Sequence, residues 1–198
     1  ILLTASLSFV LIAFLLYRRN CTSKATNRKL KDLNERLHSL SLTDNLTGLH
    51  NRRYIDSRID QDIAQALRTF QGNPEKTLSF LIVDIDNFKR INDTEGHHGG
   101  DLVLQEFSRR LKEALRESDI LVRWGGEEFL VVAPDSSVEG ARELALRIVE
   151  TVRSRPFLLE ERELFLTCSV GYCGFPFSSE NATDLGWNEV VQFADGAL

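Results

Sequence analysis

The hydrophobic and polar positions of this 198-residue chain fall into three successive patterns. Ile1 to Tyr17 carries no charged residue, and only Thr4, Ser6 and Ser8 interrupt its apolar run. A bilayer-crossing helix needs about 20 such residues, so the stretch 1–17 is predicted to be a transmembrane helix whose beginning lies upstream. Residues 18–42 change character: Leu30, Leu33, Leu37 and Leu40 recur at spacings of three, four and three among Lys31, Asp32, Glu35 and Arg36. That is an a/d seam of about one and a half heptads. Taken alone it fits one amphipathic helix lying on its own domain. Directly after a membrane span it fits a parallel helical pair, a marginal contact for a homodimer. From 43 to 198 the pattern is that of a globular domain.

Within that domain Ile55 to Phe70 is predicted as a helix, ended by the turn Gln71-Gly72-Asn73-Pro74. Leu78 to Ile85 (LSFLIVDI) is a continuous apolar run, the mark of a central strand buried on both faces. Asp101 to Leu115 puts Leu104, Phe107, Leu111 and Leu115 on one helical stripe. Ile120 to Trp124 and Phe129 to Ala133 are predicted strands around Gly125-Gly126-Glu127-Glu128. Val138 to Arg153 is a second amphipathic helix, and Leu164 to Val170 a further strand. The order β-α-β-β-α-β predicts an α+β domain of ferredoxin-like or palm type, with helices on one face of a largely antiparallel sheet.

Charge sharpens this picture. The basic residues nearest the apolar run, Arg18, Arg19, Lys24, Arg28 and Lys29, all follow it. A signal peptide would carry them in front, and the positive-inside rule then puts the rest of the chain in the cytoplasm, under the inner membrane. A formal net charge of −5 argues against nucleic acid as a partner, which would call for a basic surface. Phosphate chemistry, if present, must be local. Cys21, Cys168 and Cys173 are odd in number and form no C-x-x-C pair, as expected in a reducing compartment. The chain contains no methionine and stops at Leu198 within a predicted helix, so both ends are expected to continue in a longer protein.

Two features exceed what a core requires. Asp84 and Asp86 close the most apolar strand, two residues apart and so on one face. Adjacent carboxylates there repel, and one should gain protons more readily unless a cation lies between them. Oxygen ligands favour Mg²⁺ or Mn²⁺. A calcium loop of EF-hand type is excluded, because its fifth position is Phe88 and a strand precedes it; solvated carboxylates at a strand end remain the plain alternative. The second feature is Arg123-Trp124-Gly125-Gly126-Glu127-Glu128-Phe129. Gly-Gly between apolar strands signals a hairpin, and its bare backbone admits a phosphate while Glu127 and Glu128 offer ligands. Beside Asp84 these carboxylates would suit metal-assisted phosphoryl or nucleotidyl transfer.

The string GGEEF resembles the signature loop of the GGDEF family of diguanylate cyclases. Asp44 to Arg53 (DNLTGLHNRR) resembles that family's opening D-x-L-T-G-L-x-N-R-R, Asp84 to Asp101 its D-x-D-x-F-K-x-I-N-D-x-x-G-H-x-x-G-D block, and Ala194 to Leu198 the start of its last helix. The resemblance covers 43–198 in the family's order. It implies condensation of two GTP into cyclic di-GMP and two pyrophosphates by facing domains of a homodimer. It implies Asp84, the Ile85 carbonyl and Glu127 as holders of Mg²⁺ or Mn²⁺, with Glu127 and Glu128 as the catalytic pair. Asn92 and Asp101 become the guanine readers, Phe88 and Lys89 the turn around the phosphates, and Gly125 and Gly126 the loop against the nucleotide. Arg116 and Asp119 form an R-x-x-D six positions before Gly125, which with Arg147 implies an inhibitory site for cyclic di-GMP. A lysine that the family places further along the last helix to contact the triphosphate lies beyond Leu198. A receptor that binds cyclic di-GMP without making it, and another nucleotidyl cyclase on the same fold, are the rival expectations.

Overall fold

A computed structural model of the chain describes residues 41–159, 162–176 and 186–198. The apolar stretch 1–17 and the leucine seam lie outside the described residues, among which no helix is long and apolar enough to cross a membrane. In chain order the elements are β1 (His50–Asn51), α1 (Arg52–Gly72), β2 (Thr77–Ile85), α2 (Phe88–Ala114), β3 (Ile120–Gly125), β4 (Glu128–Ser136), α3 (Val138–Arg153), β5 (Phe157–Leu159), β6 (Arg162–Leu164), β7 (Cys168–Phe175) and α4 (Trp187–Asp195). The main sheet runs β1-β3-β4-β2-β7, and β5 pairs only with β6. Every pairing in the main sheet is antiparallel except β1 with β3. The predicted β-α-β-β-α-β order is therefore present as β2-α2-β3-β4-α3-β7, with β1 added at one edge and the β5–β6 hairpin inserted.

β2 sits between β4 and β7, and every one of its residues is buried except Asp84, which is half-buried. Its odd positions Leu81, Val83 and Ile85 pack with Val103, Leu104, Phe107 and Leu111 of α2 and with Leu144, Ile148 and Val152 of α3. Its even positions Leu78, Phe80 and Ile82 pack with Ile55 and Ile59 of α1 and with Val190, Val191 and Ala194 of α4. Helices thus cover both faces, not one as expected. The cause is already in the strand: burial of a large aliphatic or aromatic side chain is worth about 1.5–3 kcal/mol, and a strand apolar on both faces gains that only if both are covered.

Three element boundaries also differ from expectation, and one is the last helix, expected to start at Ala194 but found at Trp187–Asp195 with its cap at Gly196. The last strand is Cys168–Phe175, not Leu164–Val170. Phe165 is 73% exposed and belongs to the connection, whereas Gly171 and Gly174 dilute the apolar signal of the true strand. Gly171 has a packing reason, since a Cβ there would strike the Ala194 carbonyl oxygen of α4. The second helix begins at Phe88, well before Asp101, because Gly96 (φ 73°, ψ 172°) kinks it and breaks its hydrophobic period. One buried charge, Arg110, is wholly internal. It pairs with Glu106, donates to the carbonyls of Val152, Arg155 and Pro156, and lies 3.7 Å from the Phe157 ring centre. That satisfies a buried guanidinium and leaves it a structural role.

Candidate active site

The signature hairpin is tighter than its sequence suggests. β3 reaches Gly125 and β4 starts at Glu128, so Gly126 and Glu127 alone form the turn, with Gly126 at φ +49°. Arg123 pairs with Phe129 and Gly125 with Glu128, which leaves Trp124 as an extra residue in the ladder. A bulge of this kind bends and twists the strand end. The two glutamates consequently differ: Glu127 sits on the turn, Glu128 in the sheet. The turn is pinned from behind by Arg123, whose Nε and Nη2 donate to the Gly126 carbonyl at 3.2 and 2.9 Å. Its Nη1 donates to the Asp44 carboxylate at 3.1 Å, and Asp44 also accepts from the Thr47 backbone N–H and hydroxyl. Burial works to raise the Asp44 carboxyl, but the Thr47 and Arg123 hydrogen bonds outweigh it and hold it below the usual carboxylate range. The D-x-L-T opening and the signature loop are thereby one structure.

Asp84 lies directly across the sheet from Glu128 on one side and Ser169 on the other. Burial first, then the charges of Glu127, Glu128, Asp86 and Asp195, push its carboxyl up to about 6. Glu128 is raised as well, by burial and then by Asp195 and Glu127. The expected repulsion is present, but its strongest source is the hairpin's Glu127 and not the neighbouring Asp86. Among the described residues none of Asp84, Glu127 and Glu128 has a salt-bridge partner. Nor do three His, Cys, Asp or Glu side chains among them form a ready-made metal cage. The oxygen set of Asp84, the Ile85 carbonyl and Glu127 contains only two such side chains. Its character fits Mg²⁺ or Mn²⁺, hard cations that take one or two carboxylates and complete their shell with water and substrate phosphate. Ile85 ends β2 with its side chain buried, so the backbone is what it can offer.

The kink in α2 brings Asn92 close to the segment that carries Asp101. Gly96 turns the chain so that the segment after it folds against the first turns of the helix. Gly100 makes the contact possible, because the Asn92 side-chain oxygen occupies the place a Cβ at 100 would need. Asn92, half-buried, is thus brought beside the segment that carries the exposed Asp101, nine positions on in sequence. Phe88, expected at the turn around the phosphates, is 7% exposed and its side chain belongs to the core. Lys89, exposed, stands on the first turn of α2, whose N-cap Asn87 makes no side-chain capping bond.

Arg116, Asp119 and Arg147, expected together from the family resemblance, line one cleft of about 160 Å³ with Pro134, Asp135 and Ser137. Asp119 accepts from the Arg116 backbone N–H at 2.9 Å, and Arg147 Nε donates to the Ala114 carbonyl at 2.7 Å. A second cleft, of about 400 Å³, adjoins Glu128 and is lined by Arg52, Trp124, Asn188, Gln192 and Asp195. Arg52 lies 4.2 Å from the Trp124 ring centre, and Trp187 meets that ring edge-on. Sequence reasoning assigned no role to Arg52 or Asp195. Only their places in the opening and closing motifs could have pointed to them, since they converge from opposite ends of the domain.

Comparison with known proteins gives a consistent result. Residues 41–198 match the family described as diguanylate cyclase, GGDEF domain. The chain is 46% identical over 138 residues to the response regulator PleD of Caulobacter vibrioides, covering 68% of this chain but 29% of that protein. It therefore spans less than a third of that relative. Among solved structures it resembles the coiled coil and GGDEF domain of DgcB from Caulobacter crescentus in complex with c-di-GMP, at a TM-score of 0.69 and 25% identity, covering 92% of this chain and 91% of that one. It also resembles the active GGEEF domain of a diguanylate cyclase from Vibrio cholerae, at a TM-score of 0.65 and 28% identity over 80% of this chain and 89% of that one.

Proposed function

The chain belongs to the GGDEF-domain family of diguanylate cyclases, and from that premise we propose that it joins two GTP molecules into cyclic di-GMP with release of two pyrophosphates. The observation that carries the proposal is the unneutralised carboxylate set at the hairpin, with Asp84 directly opposite Glu128 and pushed up to about 6. Such a set costs stability unless a cation enters, and a bare glycine turn beside it leaves room for phosphate. Asp84, the Ile85 carbonyl and Glu127 would hold Mg²⁺ or Mn²⁺, which when bound neutralises charge on the phosphates. Asn92 and Asp101 accept from the N1–H and amine of guanine, groups that adenine lacks. Glu127 helps take the proton of the attacking 3′-hydroxyl, and Glu128 orients it from the neighbouring ladder position. Each domain binds one GTP, so two copies face one another and the rate is set chiefly by alignment.

Product feedback is the second part of the proposal. Arg116 and Arg147 offer planar forks to phosphate or a guanine edge and Asp119 accepts from guanine nitrogens, and all three line one cleft. The third part is anchorage: the uncharged run 1–17 and the basic residues after it support a span in the cytoplasmic membrane with the catalytic domain inside. The leucine seam would then set dimer geometry.

Incubating the complete cytoplasmic region, including the part of the last helix expected beyond Leu198, with GTP and Mg²⁺ and identifying products by mass spectrometry tests the activity; recovery of GTP alone, or of a monomeric cyclic nucleotide, refutes it. Membrane fractions test the anchor, since a spanning segment requires detergent for release and a peripheral one leaves in a salt wash.

A further inference from the structure

Asp86 resembles a second metal ligand in sequence, two residues from Asp84 on the same strand end. Its surroundings are those of a latch. One carboxylate oxygen accepts from the Ser169 hydroxyl at 2.8 Å and the other from the Thr167 hydroxyl. Its backbone N–H donates to the Thr167 carbonyl at 3.1 Å. Thr167 immediately precedes β7, and Ser169, within β7, is the residue paired with Asp84. Three hydrogen bonds therefore tie the first residue after β2 to the start of β7. The next residue, Asn87, stands at φ +59°, and α2 begins directly after it. Asn enters that left-handed conformation more readily than other non-glycine residues, so the chain can reverse there directly after the tied residue.

We propose that Asp86 is a positioning residue and not a metal ligand: it fixes the β2–α2 turn so that the Ile85 carbonyl and the first turn of α2 face one nucleotide. The inference rests on the assignment of this turn to GTP and metal. Both oxygens of Asp86 already have neutral hydroxyl donors, so no cation is needed to satisfy them. An amide fits the same slot, accepting from one hydroxyl and donating to the other, because hydroxyls do both. A carboxylate that binds a dication has no such tolerance, since the amide lacks the charge.

The test uses the full chain, Mn²⁺ binding followed by electron paramagnetic resonance in the presence of a non-reacting GTP analogue, and the affinity of a fluorescent GTP analogue. Asp86→Asn is expected to keep both affinities within about threefold, whereas Asp86→Ala, which loses both hydroxyl contacts and so frees the turn, weakens the nucleotide about ten- to hundredfold. Thr167→Val combined with Ser169→Ala should reproduce the Asp86→Ala loss, although neither side chain is a ligand. If the folding of Asp86→Ala is compromised, that hydroxyl pair and the Asn variant carry the test. Loss of Mn²⁺ in Asp86→Asn, matching the loss in Asp84→Asn, would make Asp86 a ligand and overturn the proposal. Unchanged nucleotide affinity in the hydroxyl double variant would overturn it too. Unchanged Mn²⁺ affinity in Asp84→Asn is a different result, which removes the metal site and leaves the hydroxyl arm to judge the latch.

Discussion

Two charged clefts of this domain handle their charges in opposite ways. At the hairpin end, Asp84, Glu127 and Glu128 are held together with Asp195 nearby and no salt-bridge partner among the described residues. Beyond the start of β3, Asp119 accepts from a backbone N–H and Arg147 donates to a helix-end carbonyl before any ligand arrives. The first cleft is incomplete as a folded object and the second nearly complete, its Asp119 and Arg147 already bonded to backbone while the Arg116 guanidinium stays open among the described residues. An incomplete site gains most when a cation and an anionic substrate enter together. A nearly complete one can bind and release a ligand without disturbing the fold, which suits control better than chemistry. The strand Ile120–Gly125 runs between the two.

The largest effect should come from Glu127→Gln, which keeps size and turn but removes a charge from the incomplete site. Turnover, measured as pyrophosphate release, should fall by about 10²-fold or more, the usual loss for one electrostatic group at a reacting centre. The melting temperature should hardly move. Near-normal turnover would erase the contrast between the two clefts. Next come Asn92→Ala and Asp101→Ala. Each should weaken GTP by about ten- to hundredfold through lost hydrogen bonds, and the unmodified protein should prefer GTP to ATP by a factor near ~10⁴. Comparable use of ATP would show that the kinked helix does not read guanine.

Arg116→Ala addresses the nearly complete cleft. Inhibition by cyclic di-GMP should weaken by about 5- to 150-fold, the span of ordinary coupling energies, while initial rates stay within about twofold. Equal inhibition of both proteins would reduce Arg116 and Asp119 to a helix end and its turn. The smallest effect is on stability. The Asp84 carboxyl is pushed from 3.8 to about 6 in the fold, so between those values the folded state holds a proton that the unfolded chain releases. Stability of the metal-free protein should therefore decline as pH rises through that window. Added Mg²⁺ should raise the melting temperature at pH 7 more than at pH 5, and Asp84→Asn should flatten both trends in a thermal-shift series.

Much of the fold was legible in sequence because it is local. An uninterrupted apolar run announces a central strand, Gly-Gly between two apolar runs announces a hairpin, and the stripe through Leu104, Phe107 and Leu111 announces a buried helix face. Residue pattern singled out Asp84 and the Glu127-Glu128 hairpin, whereas Asn92, Asp101, Arg116 and Asp119 were named only through the family resemblance. The failures share a cause. Period alone cannot count the layers packed on a sheet, so the placement of α1 and α4 on its second face went unseen. Glycines blurred both β7 and the first turns of α2, at positions where backbone packing or a kink mattered more than side-chain burial.

What the sequence determined by itself is which residues carry charge or apolar surface and which neighbours along the chain share a face. Only the tertiary structure decided who meets whom across it. Strand register put Glu128 opposite Asp84, and the Trp124 bulge left Glu127 alone on the turn. The Gly96 kink laid Asn92 against Gly100 beside Asp101, and Gly171 let α4 approach closely enough to bring in Asp195. The hydroxyls of Thr167, just before β7, and Ser169, within it, took up both carboxylate oxygens of Asp86. Each of these contacts joins residues that need not be close in sequence, and no local preference encodes them. They follow from burying two apolar faces of one strand at once, which leaves its charged end where the helices and the hairpin meet.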